Sequence, residues 1–153
     1  LGIADIPTLD ERYIGYSNKS YKITKGKKSR LKASNTSKLK DSILNTTSPY
    51  VFANKYDQKV FEKIVKKVKT VRLGGDCYSY CLLADGHVDT VIESGLKPWD
   101  IRALEPIIRN AGGVLKTWEG NKIFNGGRII AAGNNQLYKK VKSNLLKKKP
   151  RHK

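Results

Sequence analysis

An α/β or α+β layered domain, with a mixed sheet flanked by helices, is the fold class that this chain predicts. Three observations carry that expectation. Apolar residues recur at helical spacing in several segments, short β-branched runs lie between those segments, and turn-forming Gly, Asn and Pro separate the two kinds. With 153 residues and 39% apolar composition, the chain is long enough to bury one core. A single domain is expected over residues 1–146, followed by a basic tail over 147–153.

The elements follow in order. LGIADIPTLDERYIGYS reads as two short strands joined through Pro7 and Asp10, followed by a loop rich in Lys, Ser and Gly around Lys25 to Lys28. RLKAS and SILNTTSP read as short extended segments. From Tyr56 to Lys69, the spacing of Val60, Phe61, Ile64, Val65 and Val68 predicts an amphipathic helix, and TVRLG predicts the next strand. GGDCYSYCLLADG reads as a glycine-rich turn entering a short helix, with Cys77, Tyr80, Cys81 and Ala84 facing inward. HVDTVIES returns as a strand. A helix is expected from Pro98 to Ala111, its stripe being Ile101, Leu104, Ile108 and Ala111, and Gly112-Gly113 ends it. VLKTW and RIIAAG are strands separated by the turn-rich EGNKIFNGG. Asn134 or Asn135 caps a last helix carrying Leu137, Tyr138, Val141 and Leu145.

Composition excludes several classes. No apolar run reaches membrane-spanning length and no signal-peptide pattern opens the chain, so a cytoplasmic protein without membrane association is expected. A chain that opens on Leu1 and contains no methionine is expected to lack its native start. Lys and Arg number 31 against 13 Asp and Glu, a formal charge of +18 that favours anionic partners. The lysines nevertheless alternate with apolar helix positions, as solvated faces do, and no nucleic-acid-binding motif accompanies them. Nucleic acid is therefore not expected as the main partner. Cys77 and Cys81 lack the spacing of a redox pair and lack further zinc ligands, which leaves two buried thiols in a reducing compartment. Neither His87 nor His152 belongs to a metal-binding constellation.

The candidate chemistry sits in Glu93-Ser-Gly-Leu-Lys-Pro-Trp-Asp100. Asp100 opens a helix beside Pro98 and Trp99, which makes it a candidate ligand for a hard cation such as Mg²⁺. A single carboxylate is not a metal site, and the competing reading is a favourable helix-dipole contact. Glu93 reads either as a substrate-facing acid or as a strand-end acid on a solvated edge. Asp76 reads either as a pocket acid or as an N-cap. Lys97 and Arg102 add positive potential nearby, with a salt bridge or solvent exposure as the ordinary role for Arg102.

GGDCYSYCLLADGHVDTVIESGLKPWDIRALEPIIRNAGGVLKTWEG, with GGRIIAAGN after it, resembles the C-terminal part of the inositol monophosphatase superfamily. The GGDCY and LKPWD wording is closest to its histidinol-phosphatase-like branch. Trp99, Asp100 and Ala103 supply a WDxxA motif, Ala111 to Gly113 supply the AGG that closes the helix, and the opening GIADIPTLDERYIGYS is similar to that family's central strands. The resemblance implies the C-terminal portion of an inositol-monophosphatase-like fold and a Mg²⁺-dependent phosphomonoesterase, hydrolysing histidinol phosphate or an inositol phosphate. It implies that Asp100 is a metal ligand and that Glu93 and Asp76 bind substrate. Glu93 would face the hydroxyls or amine of the substrate rather than its phosphate. Arg102 departs from the smaller residue usual at that position.

The GDxE-type and DPxDGT-type motifs that complete the family's metal cluster are absent, and Asp5, Asp10 and Glu11 reproduce neither spacing. No catalytic residue is therefore assigned within the chain. The resemblance implies an incomplete domain, inactive alone, whose partners are a phosphorylated small molecule and either a missing N-terminal half or a second copy. The alternative is a non-catalytic fragment that binds phosphorylated ligands or nucleic acid through its basic surface.

Overall fold

Two sheets, rather than one, organise the chain. The computed structural model describes residues 1–146; the basic tail and His152 lie outside the described residues. The opening segment forms an antiparallel meander of β1 (Gly2–Ile6), β2 (Glu11–Tyr16), β3 (Lys19–Thr24) and β4 (Lys27–Arg30). The lysine-rich stretch expected to be a loop is thus the β3–β4 hairpin. Each of the two tight hairpins turns through two residues of positive φ, Ser17 and Asn18 in one, Lys25 and Gly26 in the other. That is the backbone a two-residue loop needs to match the twist of its strands. RLKAS, by contrast, adds no further strand beyond Arg30.

The second sheet has the order β6-β5-β7-β9-β8, built from β5 (Ile43–Thr46), β6 (Thr70–Leu73), β7 (Thr90–Leu96), β8 (Val114–Thr117) and β9 (Gly127–Ala132). β5 runs parallel to both β6 and β7, whereas β9 is antiparallel to β7 and β8. The connection from β5 to β6 carries α1 (Lys55–Val65), capped by Asn54, whose Oδ1 accepts the Asp57 N–H at 2.9 Å. α1 stops short of the expected Lys69 because the N–H groups of Lys69 and Thr70 turn to the Ser42 carbonyl and lead the chain into β6. α2 (Asp76–Ala84) links β6 to β7, and α5 (Asn135–Leu145) follows β9 under an Asn134 cap.

The helix expected over 98–111 is interrupted. It divides into α3 (Pro98–Ile101) and α4 (Leu104–Asn110). Pro106 has no N–H for the Arg102 carbonyl and its ring crowds that turn, so a continuous helix is disfavoured there. In the first turn of α4, the same proline costs no helical hydrogen bond. The apolar stripe survives the break, with Ile101, Leu104, Ile108 and Ala111 all buried.

Packing gives four layers. One core joins the inner face of the meander to α2 and α4 and to one face of the second sheet, through Tyr13, Leu83, Ile107, Val91 and Ile129. The other joins the opposite face of that sheet, through Leu44, Ile92 and Ile130, to α1 and α5. Adjacent residues of β7 and β9 therefore feed different cores, as a period of two requires. Among the described residues, no helix covers the outer face of the meander: Ile3 and Tyr16 are exposed, and Ile14, Tyr21 and Ile23 are only partly buried. Among the described residues, no helix is long and apolar enough to cross a membrane.

Two expectations follow from the contact between the meander and its helices. A Cβ at Gly15 would stand 2.5 Å from the Ile107 nitrogen, against backbone that cannot rotate away. Gly15→Ala is expected to destabilise the fold by about 1–3 kcal/mol in urea unfolding, as overpacking does, and an unchanged midpoint contradicts this packing. Glu11 accepts hydrogen bonds from Tyr13 and Tyr78, at 2.7 and 3.1 Å, and pairs with Lys22. Burial alone raises its carboxyl, but these partners outweigh it and hold the pKa below the ordinary 4.5. A depressed folded-state pKa gives stability that is present above the unfolded value and lost as pH falls through the folded one. Unfolding midpoints followed from pH 6 downward should fall in the acid range below about 4.5, and Glu11→Gln should flatten that fall while lowering stability at pH 6.

Candidate functional site

In a sheet with parallel strands, a crevice opens beyond their carboxyl ends, where the chain turns into helices. Here β5 ends at Thr46, β7 ends at Leu96, and α2 and α3 begin at Asp76 and Pro98. The cleft at this place encloses about 320 Å³ and is lined by Thr47, Asp76, Cys77, Tyr80, Glu93, Leu96 and Asp100. Asp76, Glu93 and Asp100, singled out separately in the sequence, converge on it. A smaller hollow beside it is bounded by Ser48, Phe52 and Ser94.

Glu93 is the buried member, only 5% exposed, which removes the reading of a solvated strand-end acid. A buried carboxylate needs donors, and Glu93 has two: the Tyr80 hydroxyl at 2.8 Å on Oε2 and the Thr47 N–H at 2.9 Å on Oε1. Burial, then the charge of Glu93 and the hydrogen bond to it, push the Tyr80 hydroxyl far above its ordinary pKa, so it remains a donor. Glu93 has no cationic partner among the described residues.

The next residue on β7 has a network of its own. Ser94 donates to the buried Asp57 carboxylate and accepts the Ala53 N–H at 3.3 Å. Asp57 also meets Arg128, which pairs in turn with Glu119 and stacks over Trp118. These contacts tie the start of α1 and the segment before it to β7. They fix the wall from which Thr47 reaches Glu93.

Asp76 opens α2 in a left-handed conformation, φ 43°, directly after Gly74 and Gly75, which are also positive. Gly75 holds the N-cap position, and the Asp76 side chain makes no cap hydrogen bond. The N-cap reading therefore gives way to an exposed acid at the cleft. Asp100 takes the helix-start role weighed for it. Its Oδ2 accepts the Lys97 N–H at 2.7 Å, closing the first turn of α3, while Oδ1 has no hydrogen-bond partner among the described residues. Arg102 is exposed, as expected, and enters no salt bridge among the described residues; its guanidinium donates to the Phe124 carbonyl at 2.6 and 3.0 Å.

Cys77 differs from expectation. It is exposed at the cleft, while Cys81, one turn on, is buried. α2 crosses behind the cleft, so only its first turn is open to solvent. Burial, and then the neighbouring Asp76 charge, raise the Cys77 thiol and keep it protonated. Tyr80 was legible only as a core residue, although a buried phenol needs an acceptor within reach and so points to a polar neighbour. Thr47 acts through its backbone, for which the sequence carries no signal.

Among the described residues, no group of three or more His, Cys, Asp or Glu side chains is placed to hold a metal ion. Mg²⁺ demands near-octahedral oxygen coordination. Both oxygens of Glu93 are engaged, which leaves Asp100 and the exposed Asp76 as donors. The described residues do not by themselves fit a Mg²⁺ site.

Comparisons with known proteins agree with the fold. The chain is 36% identical over 154 aligned residues to the chloroplastic bifunctional phosphatase IMPL2 of Arabidopsis thaliana, covering 95% of this chain and 43% of that protein. It is 29% identical to a histidinol-phosphatase of Mycobacterium tuberculosis, covering 95% of this chain and 56% of the relative. Among solved structures, an inositol monophosphatase from Zymomonas mobilis superposes with a TM-score of 0.75 at 34% identity, over 88% of this chain and 56% of that one. The chain thus spans about half the length of the relatives it matches. The family model described as the inositol monophosphatase family matches residues 1–150, and the chain belongs to that family.

Proposed function

We propose that this chain is the C-terminal portion of a Mg²⁺-dependent phosphomonoesterase, in which Glu93 and Asp76 read the alcohol part of the substrate. The observation that carries this reading is the buried Glu93 carboxylate, held by Tyr80 and Thr47 and left without a protein cation. A cationic amino alcohol phosphate, such as histidinol phosphate, supplies the missing positive charge through a charge-assisted hydrogen bond. The GGDCY and LKPWD wording and the similarity to a histidinol-phosphatase support that substrate over an inositol phosphate. The similarity to an inositol monophosphatase keeps the second substrate in the test.

Asp100 contributes one oxygen to a metal site whose other ligands lie outside this chain. A Mg²⁺ ion held there would supply charge neutralisation at the phosphate. This chain's own work is to close one wall of the cleft, to orient Glu93 by two donors, and to present Asp100 at a fixed helix start. The relatives' greater length supports a covering partner segment, and so does the uncovered outer face of the meander.

The test is phosphate release from histidinol phosphate and inositol phosphate in the presence of Mg²⁺. The chain alone is compared with a mixture containing the polypeptide encoded immediately upstream. Activity is expected only in the mixture, with Asp100→Asn lowering kcat/KM about 100-fold or more, because a metal ligand is lost. Activity of the chain alone contradicts the partial-enzyme reading, and silence of both samples contradicts the phosphatase reading. In the active mixture, Glu93→Gln is expected to raise KM for histidinol phosphate about ten- to hundredfold, the loss of one charged hydrogen bond. An equal rise for inositol phosphate contradicts recognition of a cation.

A further inference from the structure

The lysines are not spread evenly over the layers. On α1, Lys55, Lys59 and Lys63 follow one another at helical i, i+4 spacing, Lys66 and Lys67 continue the stripe past the helix end, and all five are exposed. Lys139 and Lys140 are exposed on α5, which packs beside α1 over the same core, and Lys67 donates to Asn144 across the two. The acids of this layer do not balance them. Asp57 is buried in the Ser94 and Arg128 network, which leaves Glu62 as the exposed acid of α1. None of these lysines enters an ion pair among the described residues.

Like charges at i, i+4 weaken a helix by roughly 0.2–0.5 kcal/mol per pair, so the stripe is held against its own repulsion. A polyanion laid along it relieves that repulsion. The geometry is suited to a nucleic-acid backbone. From Lys55 to Lys63 the helical path advances about 12 Å, which is three to four base pairs of duplex at roughly 3.4 Å per step.

We infer that the outer face of α1 and α5 binds the phosphate backbone of double-stranded nucleic acid without reading its sequence. The chemistry of the face selects this occupant. Among the described residues of α1 and α5 it presents lysines, which act as point charges, and no arginine to fork onto base edges. Tyr56 is the exposed aromatic on α1, too few for the stacking platform of a single-strand binder. A membrane surface suits it poorly, because the apolar face of α1, Val60, Phe61 and Ile64, is spent inside the protein and has nothing to insert. The surface is separate from the cleft at the ends of β5 and β7, and this inference does not rest on the phosphatase reading.

The experiment is fluorescence anisotropy of a labelled 20-base-pair duplex titrated with the full chain at several salt concentrations. Binding is expected, with log K falling against log salt at a slope of about −4 to −5, as four or five neutralised phosphates require. Replacing Lys59, Lys63, Lys66 and Lys140 together by Gln should lower affinity at least tenfold and flatten the slope by about three units. A variant of the same net charge, with Lys19, Lys25, Lys27 and Lys32 on and after the meander changed to Gln, should stay within twofold. Circular dichroism checks that both variants keep their helices. Equal losses in the two variants overturn the inference, since net charge and not this face then drives binding. Equal affinity for polyglutamate or for phosphatidylserine vesicles overturns it in favour of an acidic protein or a membrane, and absence of binding at low salt overturns it outright.

Discussion

The structure turns on the double-sided burial of β7 and β9. Val91 and Ile92, Ile129 and Ile130, and Ala131 and Ala132 are all removed from water, although neighbours on a strand point in opposite directions. A strand buried on both faces needs a helical layer on each. Hence α2 and α4 cover one side, α1 and α5 the other, and the chain must cross from one layer to the other between strands. Polar groups on such strands need partners inside the protein. The Thr90 hydroxyl donates to the Ala131 carbonyl, and Glu93 takes the Tyr80 hydroxyl and the Thr47 amide. The cleft acid is therefore held by the same burial that holds the sheet.

The shared helical layer sets where the cleft opens. α4 lies so close to the meander that Gly2 and Gly15 leave no room for a side chain, and the Ser20 hydroxyl donates to the Ile107 carbonyl at 2.7 Å. At the opposite end of the second sheet, Asp89 accepts from the Ser34 hydroxyl and the Ile43 amide, while its backbone carbonyl takes the Gly133 amide. One buried residue, through its carboxylate and its backbone carbonyl, thus joins the segment leaving the meander to the starts of β5 and β7 and to the end of β9. With those starts aligned, β5 ends beside the middle of β7, which runs on to Leu96. The parallel register that sets Leu44 beside Thr90 and Asn45 beside Val91 carries on to leave Thr47 and Glu93 at the same height.

What was legible in the sequence is what repeats. The spacing of Val60, Phe61 and Ile64 fixes the buried face of α1, and Asn134 caps α5 as its position suggests. The meander was half legible. Ser17-Asn18 and Lys25-Gly26 are two-residue turn signals, but the lysines around them have the composition of a solvated loop, which masks the alternation of Ser20, Lys22 and Thr24. The helix break at Pro106 was written in one residue and was overridden by an apolar stripe that runs through it. At the cleft, acids next to helix starts were legible as chemistry. The donors that hold Glu93 were not, since a backbone amide has no letter and Tyr80 resembles any other core aromatic until the fold turns it toward β7.

Charge sorting gives the cleft its character. The chain carries +18, yet the groups that line the cleft are Thr47, Asp76, Cys77, Tyr80, Glu93, Leu96 and Asp100, three carboxylates and no cation. In a composition with more than twice as many basic as acidic residues, that set reflects placement by the fold and not abundance. On the proposed function, the two ends of an amino alcohol phosphate would meet this cleft differently. Its cationic end would find Glu93 already desolvated and oriented, so little reorganisation would oppose the new hydrogen bond. Its phosphate end would find like charge at Asp100, and at a few ångströms that repulsion is worth on the order of kcal/mol even at an effective dielectric near 20. Recognition of the phosphate would accordingly require positive charge from beyond the cleft-lining residues. The exposed, half-engaged carboxylate of Asp100 is the group through which that reading would attach such charge to this chain.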